Sequence, residues 1–196
     1  MIKICFKLIL LSVFLLGCGQ KNEETPQTIS TNEELLEVSD KTEIFFEVKI
    51  ADPEELKNSP DGIIPWISIQ DADQEVNQLV GKNEIVVKEN RVDLTIDYPL
   101  DNPATIELRS DKKSGFTKSE LVLKVQKEYK RIYEEEEKTA KTKPIPIGDR
   151  KSIVNRNATD GKYGVWGHDL SDLDLSEIIV HRKQGKKTRL ELYIES

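Results

Sequence analysis

Cysteine is nearly absent from this chain of 196 residues: Cys5 and Cys18 are the only two, and both fall within the first eighteen positions. No disulfide can staple the remainder of the chain, so the fold must be held by its hydrophobic core. Histidine is as scarce, with His168 and His181 alone. No Gly-x-Ser-x-Gly elbow, His-Glu-x-x-His pair or phosphate-cradling loop occurs, which removes the enzyme classes those motifs carry. After Leu16 no apolar run is long enough to cross a bilayer. Basic residues are outnumbered, 29 to 36, and no stripe of basic and aromatic residues compensates, so nucleic acid is not expected as a partner. There is no internal repeat.

What is present begins at the start of the chain. Lys3 and Lys7 precede a run from Leu8 to Leu16 that is apolar except for Ser12, and Gly17 then meets Cys18. A charged head, an apolar core well under the ~20 residues of a spanning helix, and a small residue at the cut are the parts of a signal peptide. Leu15-Leu16-Gly17-Cys18 resembles the lipobox of bacterial lipoproteins. The resemblance implies that the Cys18 thiol receives a diacylglyceryl group, that residues 1–17 are removed, and that the new amine is acylated. Each methylene so buried contributes about 0.8 kcal/mol to membrane anchoring. Cys18 is then spent as a nucleophile, and no cofactor besides this lipid is expected. Gly19-Gln20-Lys21-Asn22-Glu23-Glu24 resembles the Gln-Lys-acidic export signal of surface-displayed lipoproteins of the Bacteroidota, with Asn22 in place of an acidic residue. Gly19 is also not the aspartate that retains lipoproteins at the inner membrane. The resemblance implies an outer-membrane, surface-exposed location; it covers about two dozen residues and none of the domain.

Removing the signal leaves 27 basic and 36 acidic residues, a net charge of −9. Residues 18–110 hold 8 Lys/Arg against 21 Asp/Glu, whereas residues 111–196 hold 19 against 15. Such asymmetry marks opposed faces or attracting lobes, or else ordinary solvated surfaces, the preferred reading. Residues 18–42, rich in Glu, Gln, Asn, Thr and Ser, read as a flexible lipidated tether with a turn of helix near Glu33 to Val38. Residues 43–196 are of a length for one domain.

Within that domain, Ile44, Phe46, Val48 and Ile50 alternate with polar neighbours, the mark of a half-buried strand beginning at Glu43. Ile63 to Ile69 suits a short edge strand and Asp71 to Val80 a short helix. Glu84 to Lys88 and Val92 to Asp97 flank Glu89-Asn90-Arg91 and read as a hairpin. Ala104 to Arg109 is a further strand. Thr117 and Glu120 have the spacing of a capping box, and Phe116 with Leu121 that of a hydrophobic staple. Leu121, Val125, Tyr129 and Ile132 then repeat at helical spacing, which predicts a helix over about 118–138 with one buried stripe. Glu134 to Glu137 reads as its solvated face, paired with Lys138 and Lys141. Pro144 and Pro146 open a long connection, Thr142 to about Tyr163, of the kind that is often functional or mobile. Leu173 to Arg182 and Thr188 to Glu195 form a C-terminal hairpin. The expected fold class is α+β: a largely antiparallel sheet, one long amphipathic helix packed on it, and that hairpin in the same sheet.

Tyr163 to Asp174 is the densest cluster of special residue types, with Gly164, Trp166, Gly167, His168, Asp169 and Asp172 within it. Three readings are open. In an enzyme, His168 would be a general base oriented by Asp169, Asp172 or Asp174. In a metal site the same groups would hold a divalent cation, but the spacing lacks the glycine and terminal glutamate of an EF-hand loop, and one histidine is few for zinc. In a structural turn, Trp166 packs in the core, His168 bonds a backbone carbonyl, and an aspartate caps the turn. The structural reading is preferred, because a residue cluster without a motif argues little by itself. Trp166 with Lys143, Arg150, Lys151 and Arg156 of the basic connection are the candidate ligand-binding residues, and anions the candidate ligands; no metal is expected.

These residues point to a cell-envelope lipoprotein acting as a non-enzymatic binding or assembly module, with the membrane and an envelope protein or polysaccharide as partners. The alternative is a hydrolytic or metal-assisted enzyme using His168 to Asp174.

Overall fold

Period-two alternation does build a strand at the start of the domain, β1 (Ser39–Phe45), but it begins four residues before Glu43, because Ser39 to Thr42 pair antiparallel with Lys183 to Val180. The computed structural model describes residues 39–57, 59, 61–151 and 156–196. The signal peptide, Cys18 and the tether as far as Val38 lie outside them.

The strand breaks at Phe46 and Glu47 and resumes as β2 (Val48–Lys49), with Ile44, Phe46 and Val48 all buried along one face. Two short segments come next, β3 (Ile63–Ile64) and β4 (Ile67–Ser68), then a single helical turn, α1 (Ala72–Glu75). After these come β5 (Ile85–Val87), β6 (Arg91–Ile96), β7 (Ala104–Arg109), β8 (Phe116–Thr117) and the long helix α2 (Lys118–Thr139). The hairpin β9 (Asp174–Lys183) and β10 (Arg189–Glu195) closes the chain. In the main sheet the order is β1-β9-β10-β6-β7, with β4 pairing the start of β9. All pairs are antiparallel except β10 with β6, whose contact spans Arg189 to Glu191. The fold is therefore α+β, a sheet of several strands with one main helix and a C-terminal strand pair.

Helix α2 starts where the sequence predicts, because the Thr117 hydroxyl accepts the Glu120 N–H at 3.2 Å. Two more first-turn donors find backbone carbonyls, Lys118 N–H to Glu84 O and Ser119 N–H to Lys82 O at 3.0 Å each. The reciprocal half of the capping box is absent. The Glu120 carboxylate instead accepts from the Asp111 N–H at 2.7 Å and the Ser110 hydroxyl at 3.1 Å, tying down the loop before the helix. Leu121, Val125, Tyr129 and Ile132 are fully buried, as their spacing requires.

The hairpin expected around Glu89-Asn90-Arg91 does not form. β5 pairs with β8 at the foot of α2, and β6 goes to the main sheet. Gly115 makes the first pairing possible: at φ +98°, a Cβ there would stand 2.0 Å from Val87 O, so only glycine lets the backbones approach. Glu89, between the two strands, accepts from Arg182 Nε at 2.8 Å and the Thr188 hydroxyl at 3.0 Å, which ties the start of β6 to the C-terminal hairpin.

The acidic first half and basic second half of the chain meet in this sheet. Lys187 bridges Asp93 at 2.5 Å and Glu107 at 2.6 Å, and Arg182 reaches Glu89. The charge asymmetry is thus partly spent on pairing across the fold and partly on solvated surface.

Thr117→Ala removes the helix cap while leaving the flanking carbonyls in place. It should lower stability by about 1 kcal/mol in urea unfolding, with an unchanged denaturant slope.

Candidate functional site

The buried stripe of α2 ends in polar heads. Tyr129 donates its hydroxyl to Tyr98 O at 2.8 Å, and Tyr133, one turn on, donates to His168 O at 3.0 Å. Burial pushes both phenols up. Glu136, on the same stripe, is 0% exposed. This corrects the reading of Glu134 to Glu137 as a wholly solvated face. Glu134 does pair with Lys138 at 3.8 Å on the surface, but Glu136 faces the opposite way.

Glu136 accepts three backbone N–H groups, from Gly161 at 2.7 Å, Tyr163 at 2.8 Å and Gly164 at 3.2 Å. Burial alone pushes such a carboxyl up. Here Thr159 and the three N–H donors outweigh it and hold Glu136 below the usual carboxylate range. The Thr159 hydroxyl has one proton and directs it to Val165 O at 3.1 Å, so the N–H groups carry most of the effect. Gly161 is required at this point, since a Cβ there would lie 2.6 Å from the Glu136 carboxylate.

The connection from Thr142 to Tyr163 is fastened at several further points. Asp160 accepts the Lys141 and Thr142 N–H groups at 3.0 and 2.7 Å, and Asn157 accepts from Ile145 N–H at 2.7 Å while donating to Lys143 O. These bonds join the two ends of the connection to each other just past α2, and a short turn of 3-10 helix lies at Ile147–Asp149.

Beyond this clamp lies the segment the sequence singles out. Trp166 is 36% exposed, so it is not a core residue; its ring meets Tyr98 edge-on at 5.2 Å. His168 Nε2 and the Tyr98 hydroxyl share a hydrogen bond of 2.8 Å, and the same hydroxyl reaches Ser196 Oγ at 2.8 Å. Of the three aspartates proposed to orient His168, Asp169 and Asp172 are engaged elsewhere. Asp169 faces Arg150, with contacts of 2.6 and 3.0 Å, and lies 3.7 Å from Arg156 Nε. Asp172 accepts the Asp169 N–H at 2.8 Å, capping the 3-10 turn Leu170–Asp172. Asp174 starts β9, its carboxyl pushed up by burial and by Glu195. His181, on β9, pairs with Glu191 at 2.6 Å. Among the described residues no group of three His, Cys, Asp or Glu side chains could hold a metal ion.

The basic candidates divide. Arg150 and Arg156 converge on Asp169, while Lys143 Nζ turns back to Glu137 O and Lys151 stays exposed. Arg156 is 3% exposed and its guanidinium lies 5.2 Å from the centre of the Tyr133 ring. Together with Tyr133, Asp169 and Leu170 it lines a cleft of about 320 Å³ beside α2. Sequence reasoning did not name Tyr98, Tyr133 or Glu136. Continuing the helical stripe from Ile132 by four residues lands on Glu136, a signal hidden by its three acidic neighbours.

Glu136→Gln keeps the shape but sets an amide donor against one of the N–H groups, and should cost about 2–4 kcal/mol in urea unfolding. Because the folded-state pKa is depressed, the wild-type carboxylate contributes fully above the ordinary value of 4.5 and loses that contribution as pH falls through the folded value. The acid limb of the stability profile should therefore be shallower in Glu136→Gln; an identical limb would show that this carboxylate is not the clamp.

Comparison with protein-family models, with curated proteins and with solved structures found no match, so the functional reading rests on the residues themselves.

Proposed function

We propose that this chain is a lipoprotein of the bacterial cell envelope, anchored through Cys18 at the outer membrane and displayed at the surface. There it acts as a non-enzymatic binding or assembly module for an envelope protein or polysaccharide. The observation that carries the reading is the run Leu8 to Cys18, an apolar core too short to span followed by a lipobox. A stable anchor needs more than one acyl chain, and the modification implied by that motif supplies them. The non-enzymatic part is supported by the engagement of Asp169 and Asp172 with arginine and backbone, which leaves His168 hydrogen-bonded to a tyrosine instead of a carboxylate. A general base needs an orienting acceptor on its second nitrogen to act at full strength, and Asp169 and Asp172 are turned to other partners.

Metabolic labelling with an alkyne analogue of palmitate should tag the wild-type chain and not Cys18→Ser, which should also leave the membrane fraction. Label on Cys18→Ser would remove the anchor from this reading. Protease added to intact cells should cut the displayed domain; protection while a surface control is digested would remove surface display from this reading.

A further inference from the structure

Strand β1 has two edges, and among the described residues only the one facing β9 is paired from end to end. The Phe46 N–H donates to Ser176 O at 2.9 Å, just past that ladder. Main-chain groups alternate sides along a strand, so Ile44 and Thr42 also face β9, while Lys41, Glu43, Phe45, Glu47 and Lys49 face away. The last two are met on that side: Val80 N–H donates to Glu47 O at 2.9 Å, and Lys49 N–H donates to Gln78 O at 3.1 Å. Beyond Val80 the chain leaves the edge at Gly81, where φ is +67°. Lys41, Glu43 and Phe45, all exposed, keep their outward N–H and C=O groups without a partner among the described residues.

An open cleft of about 380 Å³ follows this unpaired stretch. One wall is the consecutive run Thr42 to Phe45, which contributes side chains from both faces of the sheet, so the cleft lies along the strand's edge and not over either face. Glu84 and Val86 stand opposite. Charge narrows the occupant. Glu43, Glu47 and Glu84 line the cleft against Lys118 alone, and none of the three carboxylates is paired with a base among the described residues. Lys41, next along the strand, leaves the site still negative. Glu177, opposite Phe45 on β9, is pushed up by burial and by Glu43, so the field reaches the neighbouring strand. A second copy of β1 would bring Asp40 and Glu43 against one lysine, and residues 19–38 would bring five glutamates against Lys21. Both are repelled; a basic strand is not.

We propose that the free edge of β1 takes up an extended, basic segment of a partner protein as an added strand. Its main chain bonds to Lys41, Glu43 and Phe45, its apolar residues face Ile44 and Val86, and lysines or arginines at alternate positions meet Glu43 and Glu47. This rests on the reading of the chain as a binding module and adds the surface and the class of partner. The Cys18 labelling tests the anchor separately. A chain that carries lipid but ignores basic strands overturns this inference alone.

The test is fluorescence anisotropy of the full chain in a nonionic detergent at neutral pH, with labelled acetyl-Lys-Val-Lys-Val-Lys-Val-Lys-amide as the probe. It should bind saturably, and at least about tenfold more tightly than the same peptide with Glu for Lys or than a peptide of residues 39–45. Of two N-methylated probes, one blocked on its valines and one on its lysines, at least one should bind about tenfold more weakly, because each blocks the amides of one strand edge. Glu43→Lys should weaken the unmodified probe about tenfold. Lys41→Pro removes a base and an outward N–H, and proline is tolerated on an edge strand. Ionic attraction by itself would make that variant bind more tightly; an added strand makes it bind about tenfold more weakly. Circular dichroism checks that each variant is folded, and if Lys41→Pro is not, Glu43→Lys and the N-methylated pair decide. The proposal is overturned if the probe does not bind, if either control peptide binds as tightly, if both N-methylated forms bind as the parent does, or if folded Glu43→Lys or folded Lys41→Pro binds at least as tightly as the wild type.

Discussion

Everything around the candidate site hangs on one buried carboxylate. Glu136 sits at the end of a helix where backbone carbonyls point along the axis, an unfavourable place for negative charge. It is tolerated because the chain returns 25 to 28 residues later and presents three N–H groups to it. Burying a charge without such partners costs several kcal/mol. The return of the chain at Gly161 to Gly164 is therefore a condition of folding the end of α2, and the residues just after it inherit a fixed position.

Those residues are placed by the same helix. Tyr129, Tyr133 and Glu136 succeed one another along a single stripe, and each ends in a polar atom aimed at a different stretch of backbone: Tyr98, His168 and Gly161 to Gly164. An amphipathic stripe usually supplies apolar area alone. Here its last two turns also act as a ruler that spaces the Tyr98 turn against the His168 turn, and the edge-on contact of Trp166 with Tyr98 results from that spacing. The histidine and its neighbours are fixed by main-chain bonds, which explains why the cluster resembles a catalytic set in sequence and a corner of the fold in space.

Much of this architecture is legible in the residues. The period-two runs of β7 and of β9 with β10, and the 3.6-residue stripe of α2 with its threonine cap, arise from local rules that burial reinforces. The partnership of β5 is not legible, since it depends on Gly115 letting two distant backbones approach and on Glu89 finding Arg182. The site is legible in halves. The basic connection contains Arg150 and Arg156, but sequence alone cannot show that one of them is satisfied by Asp169 and the other carried inside. Glu136 is hidden by composition, because four consecutive glutamates look like one solvated surface when only one of them continues the stripe.

Glu136 and Arg156 are the two charged side chains buried among the described residues, and the fold treats them differently. A carboxylate accepts from backbone N–H groups, which a glycine-containing turn offers without side chains in the way, so the chain can complete Glu136 by itself. A guanidinium needs acceptors in its own plane, and the planar acceptor nearest to Arg156 is already drawn to Arg150. Tyr133 covers one face of the guanidinium but contributes no acceptor to its edge. Had the role of Arg156 been packing alone, an uncharged side chain stacked on that ring would fill the space without the desolvation cost. The cost is borne where Arg156 packs between Tyr133 and Asp169, and its unmet, enclosed donor pair is the point at which the described residues stop accounting for one another.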